Sequence, residues 1–234
     1  MTEAERALAF SRALAEARAG RVERYDWGTG VFSDDLPRIY DLNYVYADRV
    51  VGEEEVDAAM AHLGHRKVVV HDPSLRDLPI GWPLRPRYLV MASRRPPDRP
   101  APASAAREVD AETYLRFREP IAAVPEMREV PARTARVVDL RFFCAFDGAE
   151  PVAGCELYRR EEIAQVEDVF TLEAHRGRGH ARAVVRAAVE AAADADLVFL
   201  FTDERDTVWQ LYERLGFDTV GLERLWLRLP EGAT

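Results

Sequence analysis

The chain has 234 residues, a formal net charge of −9 and a pI near 5.2. Its 48% hydrophobic and 31% charged residues give the balance of a globular protein and exclude disordered and fibrous classes. The acidic balance argues against a nucleic-acid partner, which calls for a basic face, and no run approaches the roughly 20 apolar residues of a membrane helix.

In chain order, the pattern predicts a helix over 5–19, a strand over 28–32, a helix over 53–63, and strands over 67–71 and 88–92. The stretch Arg94 to Ala106 is proline-rich and lacks large apolar residues, so it reads as an extended linker. That divides the chain into an N-terminal α/β unit (1–93), a linker (94–106) and a C-terminal unit (107–234). Downstream, a helix is expected over 109–119 and two strands over 137–146 and 152–160. The Asp147-Gly148 dipeptide between them signals a hairpin with a loop longer than two residues. A strand over 164–172 follows, and then a helix over 179–193. In that helix Ala181, Val184, Val185, Ala188, Val189 and Ala192 share one face. A buried strand (197–201), a helix (206–215) ended by Gly216, and two closing strands (217–220 and 224–229) complete the order α-β-β-β-α-β-α-β-β.

Of the 32 basic residues only Lys67 is a lysine, so any one arginine carries less functional meaning than usual. Cys144 and Cys155 form no CxxC pair and read as small buried side chains. His62, His65, His175 and His180 read as helix-end or loop residues, with no acidic or cysteine partner at metal-ligand spacing. The N-terminus has no apolar leader region, and the expected location is cytoplasmic.

The chemistry concentrates at Arg176-Gly177-Arg178-Gly179-His180-Ala181, where a strand hands over to a long helix. The first turn of a helix has unpaired N–H groups and the positive end of the macrodipole. Glycines let such a backbone approach a phosphate closely, and Arg176 and Arg178 can add charge-assisted hydrogen bonds. Arg182 stands where a dinucleotide fingerprint needs glycine, and no Gly-Lys-Ser/Thr of a P-loop is present. The pattern that fits is R-x-x-G-x-A.

With this loop, the strand Glu167-Asp168-Val169-Phe170-Thr171-Leu172 and the segment Leu211-Tyr212-Glu213-Arg214-Leu215-Gly216-Phe217, the chain resembles the GNAT acetyltransferase superfamily from about Val137 to Leu229. The resemblance implies an α+β (α/β) fold with a mixed, mostly antiparallel central sheet flanked by helices, beside the smaller N-terminal α/β domain. It implies acetyl-CoA as cosubstrate, without a metal, and direct attack by the primary amine of a small molecule or peptide. Backbone groups of Val169, Phe170 and Thr171 would hold the pantetheine arm. The amides from Gly177 through Arg182, with Arg176, would hold the pyrophosphate. Glu167 would serve as the base, acting through water, and Tyr212 as the acid for the departing thiolate. Family members carry Asn seven residues before that tyrosine; Arg205 stands there and could reach a phosphate instead.

Strand alternation sends Glu167 and Asp168 to opposite faces, so only one is expected to meet the cleft. Tyr212 lies on the apolar face of its helix, where a packed core tyrosine is the rival to the catalytic reading. A non-catalytic acyl-CoA-binding or regulatory module of the same fold is the alternative function, and the chain is compatible with a homodimer. The N-terminal half lacks the phosphate loop, although Gly81-Trp82 followed by Tyr88 to Met91 resembles the closing part of a degenerate acetyltransferase-like domain.

Overall fold

The computed structural model describes residues 1–75, 77–82, 87–94 and 106–230. Most of the segment read as a linker, 95–105, lies outside them. Eleven strands form one sheet: β1 (Arg21–Tyr25), β2 (Gly28–Phe32), β3 (Tyr44–Ala47), β4 (Arg66–Val70), β5 (Tyr88–Ser93), β6 (Ala106–Val109), β7 (Asp139–Asp147), β8 (Glu150–Arg160), β9 (Ile163–Thr171), β10 (Leu197–Asp203) and β11 (Phe217–Arg228). Their order is β1-β2-β3-β4-β11-β5-β10-β9-β8-β7-β6, antiparallel except at β3–β4 and β9–β10. The helices are α1 (Glu3–Arg18), α2 (Glu53–Ala59), α3 (Ala111–Arg118), α4 (Glu129–Thr134), α5 (His180–Ala191) and α6 (Trp209–Arg214).

The two halves of the chain share this sheet. β5, from the N-terminal half, lies between β10 and β11. The first part of β11 pairs with β5, and Arg224 to Arg228 cross over to pair with β4. The two closing strands expected from the sequence are therefore one strand. A register slip between Thr219 and Gly221 bends it without ending it.

Alternation along the central strands builds a layer on each face. Leu197 and Phe199 of β10, with Val90 and Ala92 of β5, meet Ala7, Phe10 and Leu14 of α1. The rings of Phe10 and Phe199 stand edge to face at 5.6 Å. Val198, Leu200 and Met91 point the other way, to Ala183, Val184, Val185 and Ala188 of α5. α1 starts on a capping box in which the Thr2 hydroxyl accepts from the Glu5 amide while Glu5 accepts from the Thr2 amide.

The β7–β8 hairpin pairs Asp147 with Glu150, leaving a two-residue loop, shorter than expected. Pro151 ends the strand pattern in the sequence because it has no N–H. The ladder tolerates it beside a slip between Ala145 and Phe146. Three short strands, β1, β3 and β6, were not expected, and α2 and α6 are shorter than their patterns. The Asp41-Leu42-Asn43 segment has a structural role: the buried Asn43 amide accepts from the Ser33 N–H and donates to the Leu36 and Ile39 carbonyls, locking the loop before β3.

Candidate active site

β9 and β10 pair only from Ile163↔Leu197 to Gln165↔Phe199 and then separate. Both strands run on, β9 to Thr171 and β10 to Asp203. From Val166 onward the edge of β9 that faces β10 has no partner strand among the described residues, so backbone groups there are open to a ligand. On its other edge β9 pairs with β8, and the register slips where Gly154↔Phe170 gives way to Glu156↔Glu167. The slip is a bulge at Asp168, whose φ is 52°.

That bulge corrects the alternation argument. An extra residue in a strand breaks the period of two, and both Glu167 and Asp168 line one cavity of about 450 Å³. The cavity lies on the α1 face, between the halves of the chain. Its lining includes Glu156, Tyr158 and Gln165 from the C-terminal half and Arg18, Tyr44 and Lys67 from the N-terminal half. Its size is that of a small-molecule pocket.

The carboxyl groups there are strongly perturbed. Glu156 is 4% exposed, and burial together with the charge of Asp168 pushes it up to about 8. Its carboxyl accepts from the Tyr158 hydroxyl at 2.6 Å. Burial and the same neighbouring charge push Glu167 up to about 7, while Gln165 Nε2 donates to it at 2.5 Å. Asp168 is raised by burial and opposed by Arg118, whose guanidinium donates to it at 2.7 Å. The Tyr114 hydroxyl donates to its second oxygen at 2.8 Å. Three carboxyls with one cation beside them cannot all ionise near neutral pH, so they titrate as a coupled set.

The loop after β9 has the form of an anion cradle. Gly177 has φ 75° and Gly179 φ 90°, a left-handed pair that turns the chain into α5. The first amide of α5 with a backbone acceptor belongs to Ala183, bonded to the Gly179 carbonyl at 3.1 Å. Among the described residues the N–H groups of 177–182 have no backbone acceptor. A Cβ at Gly177 would meet nothing within 4 Å, so this backbone faces open space. Arg176 folds back along β9, donating to the Thr171 carbonyl at 3.2 Å, with its guanidinium 6.0 Å from the Phe170 ring centre. Arg178 reaches Asp147 at 3.4 Å. His180 opens α5 as a buried side chain with an unpartnered Nδ1, and Ala181 and Arg182 continue its first turn. Val169, Phe170 and Thr171 are half-buried along the open edge, and the Thr171 hydroxyl oxygen is buried without a partner.

Tyr212 does not line the cavity. It is 5% exposed and packs on the α5 face, 6.1 Å from the Phe217 ring. Burial holds its phenol above the ordinary tyrosine value, with Glu167 and Cys155 adding to the shift. Its hydroxyl makes no hydrogen bond to a described residue. Arg205 is exposed in the β10–α6 connection, with its Nε 3.7 Å from Asp203. Cys144 and Cys155 are both free and buried.

Glu156, Gln165, Tyr158 and Arg18 are cavity residues that the sequence patterns did not single out. Glu156 left a signal: it is an acid inside the otherwise apolar run Val152-Ala153-Gly154-Cys155-Glu156-Leu157, and such a group is rarely buried without a purpose.

Residues 106–217 match the family model described as Acetyltransferase (GNAT) family. No curated protein matches the sequence. Among solved structures the chain is similar to a GCN5-related N-acetyltransferase from Kribbella flavida, at 19% identity and TM-score 0.66, covering 97% of this chain and 95% of that one. It is also similar to a functionally unknown conserved protein from Staphylococcus epidermidis, at 14% identity and TM-score 0.69, covering 92% and 95%. A tandem GNAT protein from the clavulanic acid biosynthesis pathway aligns at 13% identity and TM-score 0.56, covering 88% and 79%. The mixed, mostly antiparallel sheet flanked by helices is the fold they have in common with this chain.

Proposed function

We propose that this chain, which belongs to the GNAT acetyltransferase family through residues 106–217, is an acetyl-CoA-dependent N-acetyltransferase acting on a primary amine of a small molecule or peptide. The carrying observation is the run of unpartnered amides at 177–182 beside the unpaired edge of β9. Those features suit a diphosphate followed by an amide-bearing arm. A left-handed glycine pair exposes several N–H groups to one anion, and an open strand edge pairs with peptide-like groups.

When bound, acetyl-CoA supplies an acyl carbon activated as a thioester. Residues 177–182 and Arg176 would hold the diphosphate, and Val169 to Thr171 would offer main-chain hydrogen bonds along the gap. Glu167 takes the proton from the acceptor's ammonium, directly or through one water, because an ammonium has no lone pair with which to attack. A carboxyl titrating near 7 is ionised often enough to act and basic enough to accept that proton. Glu156, directly across the ladder, keeps a proton at neutral pH and so leaves the negative charge to Glu167 and Asp168. Tyr212, which burial keeps protonated over the whole working range, would supply a proton to the departing sulfur.

Residues 1–93 and 107–234 are taken as two units, the first a degenerate acetyltransferase-like domain that supplies the far wall of the acceptor cavity. The likeness in fold to a tandem GNAT protein supports this reading. A cytoplasmic location belongs to it as well. The test is thiol release from acetyl-CoA over an amine panel, with Glu167→Gln as control. Binding of acetyl-CoA without thiol release on any amine would instead favour the non-catalytic acyl-CoA module.

A further inference from the structure

The ionisable groups around the cavity sort into pairs, with a remainder. Asp168 is bound by Arg118 at 2.7 Å, Asp41 by Lys67 at 2.5 Å, and Glu223 lies 2.8 Å from His71. Glu119 and Arg128 are exposed lining residues; of the more buried groups, what remains on the C-terminal wall is Glu156 and Glu167, and on the N-terminal wall Arg18. Arg18 closes the last turn of α1 and donates from Nη2 to the Asp41 carbonyl at 3.1 Å. Its Nε is buried with no partner, and no carboxylate lies within 4 Å of it among the described residues. On the acidic side Gln165 Oε1 is likewise buried and unpartnered.

We infer that the acceptor is a small amino acid-like zwitterion, with its ammonium end against Glu156, Glu167 and Gln165 and its carboxylate against Arg18 and Lys67. This rests on the acetyltransfer reading for its chemistry but on the cavity alone for its recognition. A half-buried cation with no carboxylate in contact is incompletely compensated, and a ligand anion that reaches it gains the corresponding attraction. The guanidinium fork matches a carboxylate with two parallel hydrogen bonds. Asp41 is already paired with Lys67 at that end, which leaves Arg18 as the cation on the N-terminal wall to be balanced. A singly charged carboxylate balances it, and a phosphate dianion does not. The unpartnered Gln165 oxygen gives the ammonium an acceptor, and Glu167 stands beside it to take the proton.

The test compares α- and ω-amino acids with their carboxamides, which keep the amine and lose the charge. In calorimetric titrations of protein saturated with CoA, at least one amino acid should bind tenfold or more tightly than its carboxamide. The ratio should fall toward one in Arg18→Gln and be retained in part in Arg18→Lys. The same ratio should appear in kcat/KM for thiol release. Carboxylate-selective binding without thiol release would support the cavity assignment and overturn the acetyltransfer reading. Thiol release with carboxamides or aminoalkyl phosphonates preferred would overturn the cavity assignment and keep acetyl transfer. A selectivity untouched by Arg18→Gln, or no binding by either member of any pair, would also overturn the assignment.

Discussion

Glu156 on β8 and Glu167 on β9 are direct cross-strand partners, and both face the cavity between the two halves of the chain. Burial is the larger cause of their raised values and the charge of Asp168 the next, and like charges placed opposite each other on a sheet are destabilising as well. Together these hold a proton on the pair at neutral pH that isolated carboxyls would lose, which is the setting that the proposed base role of Glu167 requires.

Replacing Glu167 with Gln keeps its size and its contact with Gln165 but removes the base. The expected loss in kcat is about 10²–10⁴-fold, the usual contribution of a positioned base, with acetyl-CoA affinity little changed. In the wild type kcat/KM for the amine should rise with pH through a limb near 7, where Glu167 ionises. Pre-steady-state thiol release across pH 5.5–9 reads both. A variant that keeps wild-type turnover would remove Glu167 from the chemistry.

Stability should carry the signature of Glu156. Below the ordinary carboxyl range the folded and unfolded chains both hold its proton. Between there and about 8 only the folded chain does, so rising pH favours the unfolded chain through that window. Glu156→Gln removes this dependence while leaving an oxygen to accept from Tyr158. Its Tm advantage over the wild type should widen between pH 5 and pH 8 by roughly 3 °C or more for a chain of this size. Parallel Tm curves would show that the carboxyl is not protonated in the folded state.

Tyr212→Phe separates a catalytic phenol from a core ring. The hydroxyl has no hydrogen-bond partner among the described residues, so its loss should leave Tm within about 1 °C and coenzyme affinity unaltered. Turnover should fall by roughly tenfold or more if the phenol donates to the leaving sulfur. An unchanged rate would make Tyr212 a packing residue against Phe217.

Gly177→Val tests the loop without disturbing the core. A Cβ there enters open space, but a β-branched residue at φ 75° costs on the order of 1–3 kcal/mol. The loop should relax and turn its amides away, weakening acetyl-CoA binding about tenfold or more while the folded content by circular dichroism persists. Retained affinity would place the diphosphate elsewhere.

The parts of this molecule visible in the sequence are those written in local patterns. The apolar stripe of α5, the glycine pair before it, the turn between β7 and β8 and the apolar run of β10 all depend on neighbours close in sequence. The parts that escaped depend on distant segments. β5 and the end of β11 trade places between the halves of the sheet, and no local period announces such a pairing. The bulge at Asp168 replaces a glycine-like conformation with an aspartate, which tolerates φ near 52° and leaves no gap in the strand pattern. Strict alternation then assigns Glu167 and Asp168 to opposite faces. Arg18 was hidden by the abundance of arginine, since nothing in the sequence separates it from thirty others.

The most direct measurement is a backbone amide map by NMR during titration with acetyl-CoA. Saturable shifts should concentrate at Gly177 to Arg182 and at Val169 to Thr171, with a smaller response at Glu167. Saturation with those amides unmoved, or no binding at all, would contradict the proposed coenzyme site.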